Sequence, residues 1–246
     1  FGQWFLDPLN KKGPDFLRNK SRILDKINTV DATFTTTSPD VLKFMPNGKN
    51  YYIPNPADKA FETLNNFNNP CNVDVFFALS HGVHRGVLKS GKVDDRINFI
   101  DKLNKNTPDV KFDVYGINKV QPIWADHYFK TISNAKMGLN LSRGEAIKYY
   151  SSDRITQIVG NGLVCLIDEK TGYRDFFNDN EMVFYKNVND LSEKILRISK
   201  DEKLRKKIAR NGKMKYMKYF NSDIVAQYIL DKTLNLESKS KFLWDK

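Results

Sequence analysis

Residues Tyr149 to Asp168 read YYSSDRITQIVGNGLVCLID. Two tyrosines, two serines and an arginine stand ahead of a stretch with helical spacing. Asn161 and Gly162 then stop it, and an apolar run closes on Asp168. A helix, a glycine stop and a short apolar strand, in that order, make one helix–strand unit of a parallel sheet. The spacing predicts a helix N-capped by Ser151 or Ser152 and closed by Gly162.

The same alternation extends in both directions. VDVFFAL from Val73, VKFDVYG from Val110, KMGLNLS from Lys136 and EMVFY from Glu181 read as strands. VDDRINFIDKL sets Val93, Ile97, Ile100 and Leu103 on one helical face, and NVNDLSEKILRIS does the same with Val188, Leu191, Ile195 and Ile198. PIWADHYFKTISNA predicts a helix opened by Pro122, and helical segments run from Asp201 to Leu236. Apolar strands alternating with helices define an α/β fold: a doubly wound parallel sheet with both faces covered. Upstream, VDATFTTT from Val30 and KNYYIPNP from Lys49 read as strands. SPDVLKFM reads as a short helix with Ser38 as N-cap and Pro39 at its first position. The expected organisation is part of a second α/β domain over 1–62, a polar linker over 63–72, the doubly wound domain over 73–236, and a tail over 237–246.

The totals narrow the class. The 246 residues are 40% hydrophobic and 13% aromatic, enough for a proper core. There is no apolar run long enough to cross a membrane and no signal-peptide pattern. The chain opens at Phe1 in mid-pattern, which reads as a fragment boundary. Two cysteines are too few for a disulfide framework, and Cys165 sits inside an apolar strand, so both fit a reducing cytoplasm. The three histidines have no zinc spacing. A formal charge of +11 favours anionic partners: nucleic acid, acidic lipid or phosphorylated small molecules. Much of it lies in KDEKLRKKIARNGKMKYMKYF, Lys200 to Phe220, where Leu204, Ile208 and Met214 to Met217 keep an apolar stripe. That pattern reads first as a solvated helix face. No RRM, KH or zinc-finger signature supports nucleic-acid binding.

Ligands of such sheets sit beyond the carboxyl ends of the strands, which selects four loops. SHGVHRGVLKSGK, Ser80 to Lys92, offers His81, Gly82, Arg85 and Lys89: glycines for close backbone approach and cations for phosphate. It matches neither GxGxxG nor GxxxxGK[ST], and a plain basic surface loop competes with the functional reading. In YGINKVQP, Gly116 either lies under a base or ribose or serves a simple turn. SRGEAIKYYSSDR, Ser142 to Arg154, runs into a helix N-terminus, a natural place for phosphate. Ser151 and Ser152 add hydroxyls, Arg154 a bidentate fork, and Tyr149 and Tyr150 a stacking surface. The competing reading makes one serine a plain cap and Tyr149 core. Finally, Lys170, Thr171 and Gly172 in DEKTGYRDFF are placed to close over the same crevice.

The ordered series LNLSRGEAIKYYSSDRITQIVGNGLVCLID, GYRDFFNDNEMVFYKNVNDLSEKI and DEKLRKKIARNGKMKYM resembles the C-terminal, donor-binding half of GT-B glycosyltransferases. The resemblance is to the group 1, CgeB-like (spore-maturation) type. VDATFTTTSPDVLKFMPNGKNYYIPNPAD resembles the end of the N-terminal, acceptor-side domain. The resemblance implies a Rossmann-like GT-B half acting as a hexosyltransferase. It would transfer sugar from a UDP- or GDP-sugar to a glycan or lipid-linked acceptor, with retention and no obligatory metal. It implies polysaccharide biosynthesis in the cytoplasm; separately, the basic face reads as a surface for peripheral contact with anionic membrane at its inner face. It assigns Arg85 and Lys89 to the diphosphate, and Ser151, Ser152 and Arg154 to phosphate and ribose. Related members carry two glutamates where this chain has Tyr149 and Gln157; Gln157 can still bond ribose hydroxyls, and Glu145 stands near enough in sequence to replace the first acid. These departures leave a second reading open: a non-catalytic nucleotide- or glycan-binding module. The sequence sets no oligomeric state, and this length of chain alone is expected to bind nucleotide without necessarily turning it over.

Overall fold

The computed structural model describes residues 1–246 apart from 12–14, 46–48, 81–93, 151, 239 and 246. Strand β1 (Gly2–Phe5), helix α1 (Phe16–Ile27), β2 (Ala32–Thr35) and β3 (Asn50–Tyr52) build a parallel sheet in the order β1-β2-β3. β1 and α1 are additions to the expected elements. The Ser38 helix is a single 3-10 turn, Pro39–Val41. Ser38 stands at its N-cap but makes no capping bond, because its hydroxyl turns to the Asp40 carboxylate instead.

The second sheet holds β4 (Val73–Ala78), β5 (Phe112–Tyr115), β6 (Ala135–Asn140), β7 (Val164–Asp168) and β8 (Val183–Tyr185). All neighbours are parallel, in the order β5-β4-β6-β7-β8. Between and after these strands run α2 (Asp95–Asn106), α3 (Ala125–Ile132), α4 (Arg154–Gly160), α5 (Val188–Lys200), α6 (Glu202–Tyr219) and α7 (Ser222–Leu234). Alternate strand residues feed two cores. Val75, Phe77, Val164 and Leu166 pack with Ile100 and Leu103 of α2 and Leu191 and Ile195 of α5. Phe76, Cys165 and Ile167 pack on the other face with Ile132, Ile155, Ile158 and Val159. A sheet buried on both sides in this way is the doubly wound fold the apolar runs predict. Burial pushes the Cys165 thiol well up, so it serves as a core side chain.

Two helix starts differ from expectation. Pro122 does not open α3, which begins at Ala125 with Trp124 at the N-cap. α4 has Asp153, not Ser152, at its N-cap, and it has only seven residues. Its end follows the prediction. Asn161 is the C-cap and Gly162, at φ +76°, takes the left-handed step. The Gly162 amide bonds Val159 O at 3.0 Å and the Leu163 amide bonds Ile158 O at 3.1 Å, a Schellman closure.

The two sheets meet along an aromatic seam. Tyr52 of β3 stacks on Phe176 at 6.1 Å, and Tyr149 lies 4.7 Å from Phe176. Phe177, Tyr216 and Phe220 continue the row, and Trp244 packs on Phe220 and Tyr228. Tyr228 of α7 meets Phe34 of β2, so the last helix returns to the first sheet. Residues 237–246 contribute Phe242 and Trp244, both buried, to this cluster. Directional bonds cross the seam as well: the Tyr52 hydroxyl donates to Tyr149 O at 3.3 Å, and the Tyr216 hydroxyl donates to Asn55 O at 2.7 Å.

The polar segment 63–72 is tied down by its asparagines and one arginine. Asn66, fully buried, donates from Nδ2 to Ile132 O and Ala135 O, each at 2.8 Å. Arg205 of α6, also fully buried, pairs with Glu202 at 2.6 Å and donates to Asn66 O at 3.1 Å. Arg205→Met should strand the Asn66 and Asn69 carbonyls that the arginine serves and destabilise the protein by about 2–3 kcal/mol; chemical denaturation would reveal it, and a shift of a few tenths would show the arginine to be dispensable.

Candidate functional site

Strand order reverses beside β4: the chain moves from β4 to β5 on one side, then to β6 on the other. The carboxyl ends of β4 and β6 therefore diverge, and a crevice opens above them. Arg154, the first residue of α4, spans it. Its Nε donates to Ala78 O at 3.3 Å, at the end of β4. Its Nη1 donates to Leu141 O at 3.2 Å, just beyond β6, and to Ser152 Oγ at 3.1 Å. The guanidinium also lies 5.1 Å from the centre of the Phe77 ring. Among the described residues its hydrogen bonds go to neutral oxygens. Burial, and secondly the Arg96 guanidinium nearby, hold its pKa below the ordinary arginine value. A half-buried cation with neutral partners leaves its charge available to an anion.

Above this arginine lies a cavity of about 410 Å³. Leu79 and Ser80 line it from the end of β4, Ile123 and Trp124 from the approach to α3, and Tyr128 and Gln157 from α3 and α4. The Tyr128 hydroxyl donates to Gln157 Oε1 at 2.5 Å. Trp124 stays 57% exposed at the wall, so its indole face is free of the core. The volume falls within the range of about 300–1,000 Å³ that small-molecule sites occupy. Asp153 also lines the wall, placing a carboxylate at the start of α4.

Gly116, outside the cavity lining, packs against the Leu79 carbonyl at the end of β4. It sits at φ +82°, and a Cβ there would fall 2.1 Å from Leu79 O. Only glycine lets β5 turn this close to the end of β4.

The other expected residues distribute themselves around the cavity or away from it. Arg154 and Gln157 line it, and Ser152 Oγ accepts from Arg154 behind them. Tyr149 lies in the aromatic seam, at φ +60°, with its hydroxyl bonded to Asp175. Its amide donates to Thr171 O at 2.7 Å, and a side chain at Gly172 would press on its ring. Thr171 and Gly172 thus brace Tyr149, while Lys170 is exposed beside them. Tyr150 is buried. Glu145 is exposed, and its carbonyl accepts from Asn10 at 3.3 Å. His81, Gly82, Arg85, Lys89 and Ser151 lie outside the described residues.

The segment 141–150 joins three parts of the molecule. Gly144 N bonds Asp95 at 3.0 Å, Lys148 pairs with Asp40 at 2.5 Å, and Arg143 reaches Asp15 at 3.4 Å. Residues absent from the sequence prediction also matter here. Trp124 and Tyr128 line the cavity, signalled in retrospect by the aromatic string IWADHYF after the β5 loop. The buried pair Asp94–Arg96, 2.6 Å apart, fixes the start of α2 near Arg154; nothing in its spacing announced it.

These features define a two-sheet, GT-B-type glycosyltransferase architecture. The profile described as "Glycosyl transferase-like" matches residues 96–231, more than half of the sequence, and the chain belongs to that family. No match was found among curated proteins. Among solved structures, TarM, known from S. aureus, aligns with TM-score 0.65 and 14% identity over 100% of this chain. The chain spans 50% of the length of TarM. HepE from Anabaena, solved with UDP and glucose, aligns with TM-score 0.66 and 12% identity over 96% of this chain and 71% of its own. An alpha-glucosyltransferase solved with UDP and DNA aligns with TM-score 0.60 and 14% identity over 95% and 71%. At these identities the likeness speaks to fold. The narrower CgeB-like assignment has no counterpart in these matches.

Burial raises the Tyr150 phenol to about 12. The unfolded phenol ionises near about 10, so stability is whole below that value and falls as pH rises between the two. Tyr150→Phe should remove roughly 2 kcal/mol of that alkaline loss, read from denaturant melts across this window; identical pH slopes for both proteins would refute the burial argument.

Proposed function

We propose that this chain binds a nucleoside-diphosphate sugar in the crevice above β4 and β6 and takes part in transferring its sugar to an acceptor hydroxyl. The observation that carries the reading is Arg154: a half-buried guanidinium with neutral partners at the wall of a cavity of about 410 Å³. The family membership and the UDP-bound neighbours support it. Residues 73–236 would form the donor side and residues 1–62 part of the acceptor side, joined at 63–72.

In the proposed reaction the bond between the sugar's anomeric carbon and the diphosphate breaks, and the acceptor oxygen takes the diphosphate's place. The acceptor proton passes to a base. Negative charge builds on the departing diphosphate, and a preorganised cation stabilises it more in the transition state than in the ground state. Arg154 is the described residue suited to that role. Arg85 and Lys89 are assigned the same role by family resemblance. Trp124 offers a flat wall for a base, and Gln157, with Tyr128, offers neutral hydrogen bonds to a ribose. Transfer with retention of anomeric configuration, a hexosyl donor and a glycan acceptor extend the same proposal.

A second reading rests on the Gln157–Tyr128 pair and the buried Tyr149. Both positions lack the carboxylate of related sequences, which fits a module that binds a nucleotide or glycan without transferring it. Product formation by the parent protein with any sugar donor would eliminate it.

Calorimetric titration with UDP, GDP and their sugars is the direct test. Binding of at least one is expected, and no heat with any of them would overturn the donor reading. Arg154→Ala should weaken that binding by roughly 1.5–3 kcal/mol, the worth of a charged hydrogen bond. Unchanged affinity would remove Arg154 from the site.

A further inference from the structure

α6 turns Arg205, Ile208, Ala209, Gly212 and Tyr216 inward. Its opposite face carries Lys203, Lys206, Lys207, Arg210 and Lys218, all exposed, at helical spacing. The acid of this helix, Glu202, stands on the flank and pairs with Arg205 and Lys206. Like charges at such spacing repel and weaken a helix, so Lys203, Lys207 and Arg210, three to four residues apart, carry a standing cost that the Lys206–Glu202 pair offsets only in part. An anionic partner relieves it.

The same face is apolar where a solvated helix would be polar. Met214, expected in the buried stripe, is 65% exposed at the centre of the cations. Phe61, on the neighbouring segment, is 75% exposed. Beside Met214 runs an open groove of about 640 Å³ lined by Lys59, Glu62, Phe67, Arg210, Met214 and Met217, and Phe61 adjoins its Glu62 in sequence. Lys213 spends its ammonium on the segment's carbonyls, donating to Leu64 O at 2.6 Å, which fixes the groove wall.

We propose that this face docks on an anionic lipid bilayer, with the α6 cations against the headgroup phosphates and Phe61 and Met214 entering the interface. Cations attract the negative surface and apolar side chains gain by leaving water; the two together distinguish a membrane-surface helix from a merely solvated one. A nucleic-acid surface would use the cations but gives Met214 nothing to bury in. Among the described residues no helix is long and apolar enough to cross a membrane, so the contact is peripheral. The inference stands apart from the donor site and shares no residue with it.

Vesicle flotation tests it directly. Phosphatidylcholine vesicles carrying phosphatidylglycerol should retain the protein, and phosphatidylcholine alone should not. Salt should weaken the retention. The triple change Lys203→Glu, Lys207→Glu, Arg210→Glu should cut partitioning by roughly a hundredfold or more, with an unaltered circular-dichroism melt. Should the reversal fail to fold, Lys207→Gln with Arg210→Gln gives the same test more gently. Phe61→Ser with Met214→Ser should abolish the binding that survives salt. Equal binding to neutral vesicles, or undiminished binding of the charge variants, overturns the proposal. So does retention of single-stranded oligonucleotide without vesicle binding, which would assign the face to nucleic acid.

Discussion

The aromatic seam between the two sheets holds the rest of the molecule in place. Tyr52 of the first half meets Tyr149 and Phe176 of the second, where Phe177, Tyr216 and Phe220 continue the row. Burying one such ring contributes about 2–3 kcal/mol, and the rings that cross between the halves are Tyr52 on Tyr149 and Phe176, and Phe34 and Tyr51 on Tyr228. The hydroxyls at its edges then set the register. Tyr52 reaches both Tyr149 O and the Tyr173 hydroxyl, and Tyr216 reaches Asn55 O. α7 and the last residues complete the seam by returning to β2.

That seam explains why segment 141–150 is built as it is. Tyr149 is drawn inward, in a left-handed backbone step braced by Thr171 and Gly172. Before it Lys148 reaches Asp40, and beyond the buried Tyr150 lie Ser152 and Arg154 at the crevice. One stretch of chain thus carries both the contact between the halves and the cation at the cavity. Arg154 in turn links the ends of β4 and β6, the two strands whose divergence creates the crevice.

The seven-residue length of α4, with Asp153 ahead of it, shifts the emphasis away from a helix terminus as an anion site. A carboxylate at that position opposes a phosphate there. The arginine side chain, positioned by three neutral oxygens, takes over the role that the polar cluster before the helix suggested for the backbone.

The sequence alone determined the doubly wound sheet, because an apolar run buried on both faces and a helical apolar stripe are each written locally. It also determined where α4 ends, since Asn161-Gly162 closes a helix by its own backbone preference. It named Arg154 and Gln157, which the fold places on the wall of one cavity, and Ser152, whose hydroxyl accepts from Arg154. Only the tertiary structure decided the fate of Tyr149, whose phenol reads equally as ligand platform or core until Tyr52 and Phe176 arrive from distant segments. It decided the same for Trp124 and Tyr128, which become a cavity wall through the strand order β5-β4-β6. It also decided for Met214, which the periodicity placed in a buried stripe and packing left in water. Contacts between residues far apart in the chain carry no local period, so folding alone could reveal them.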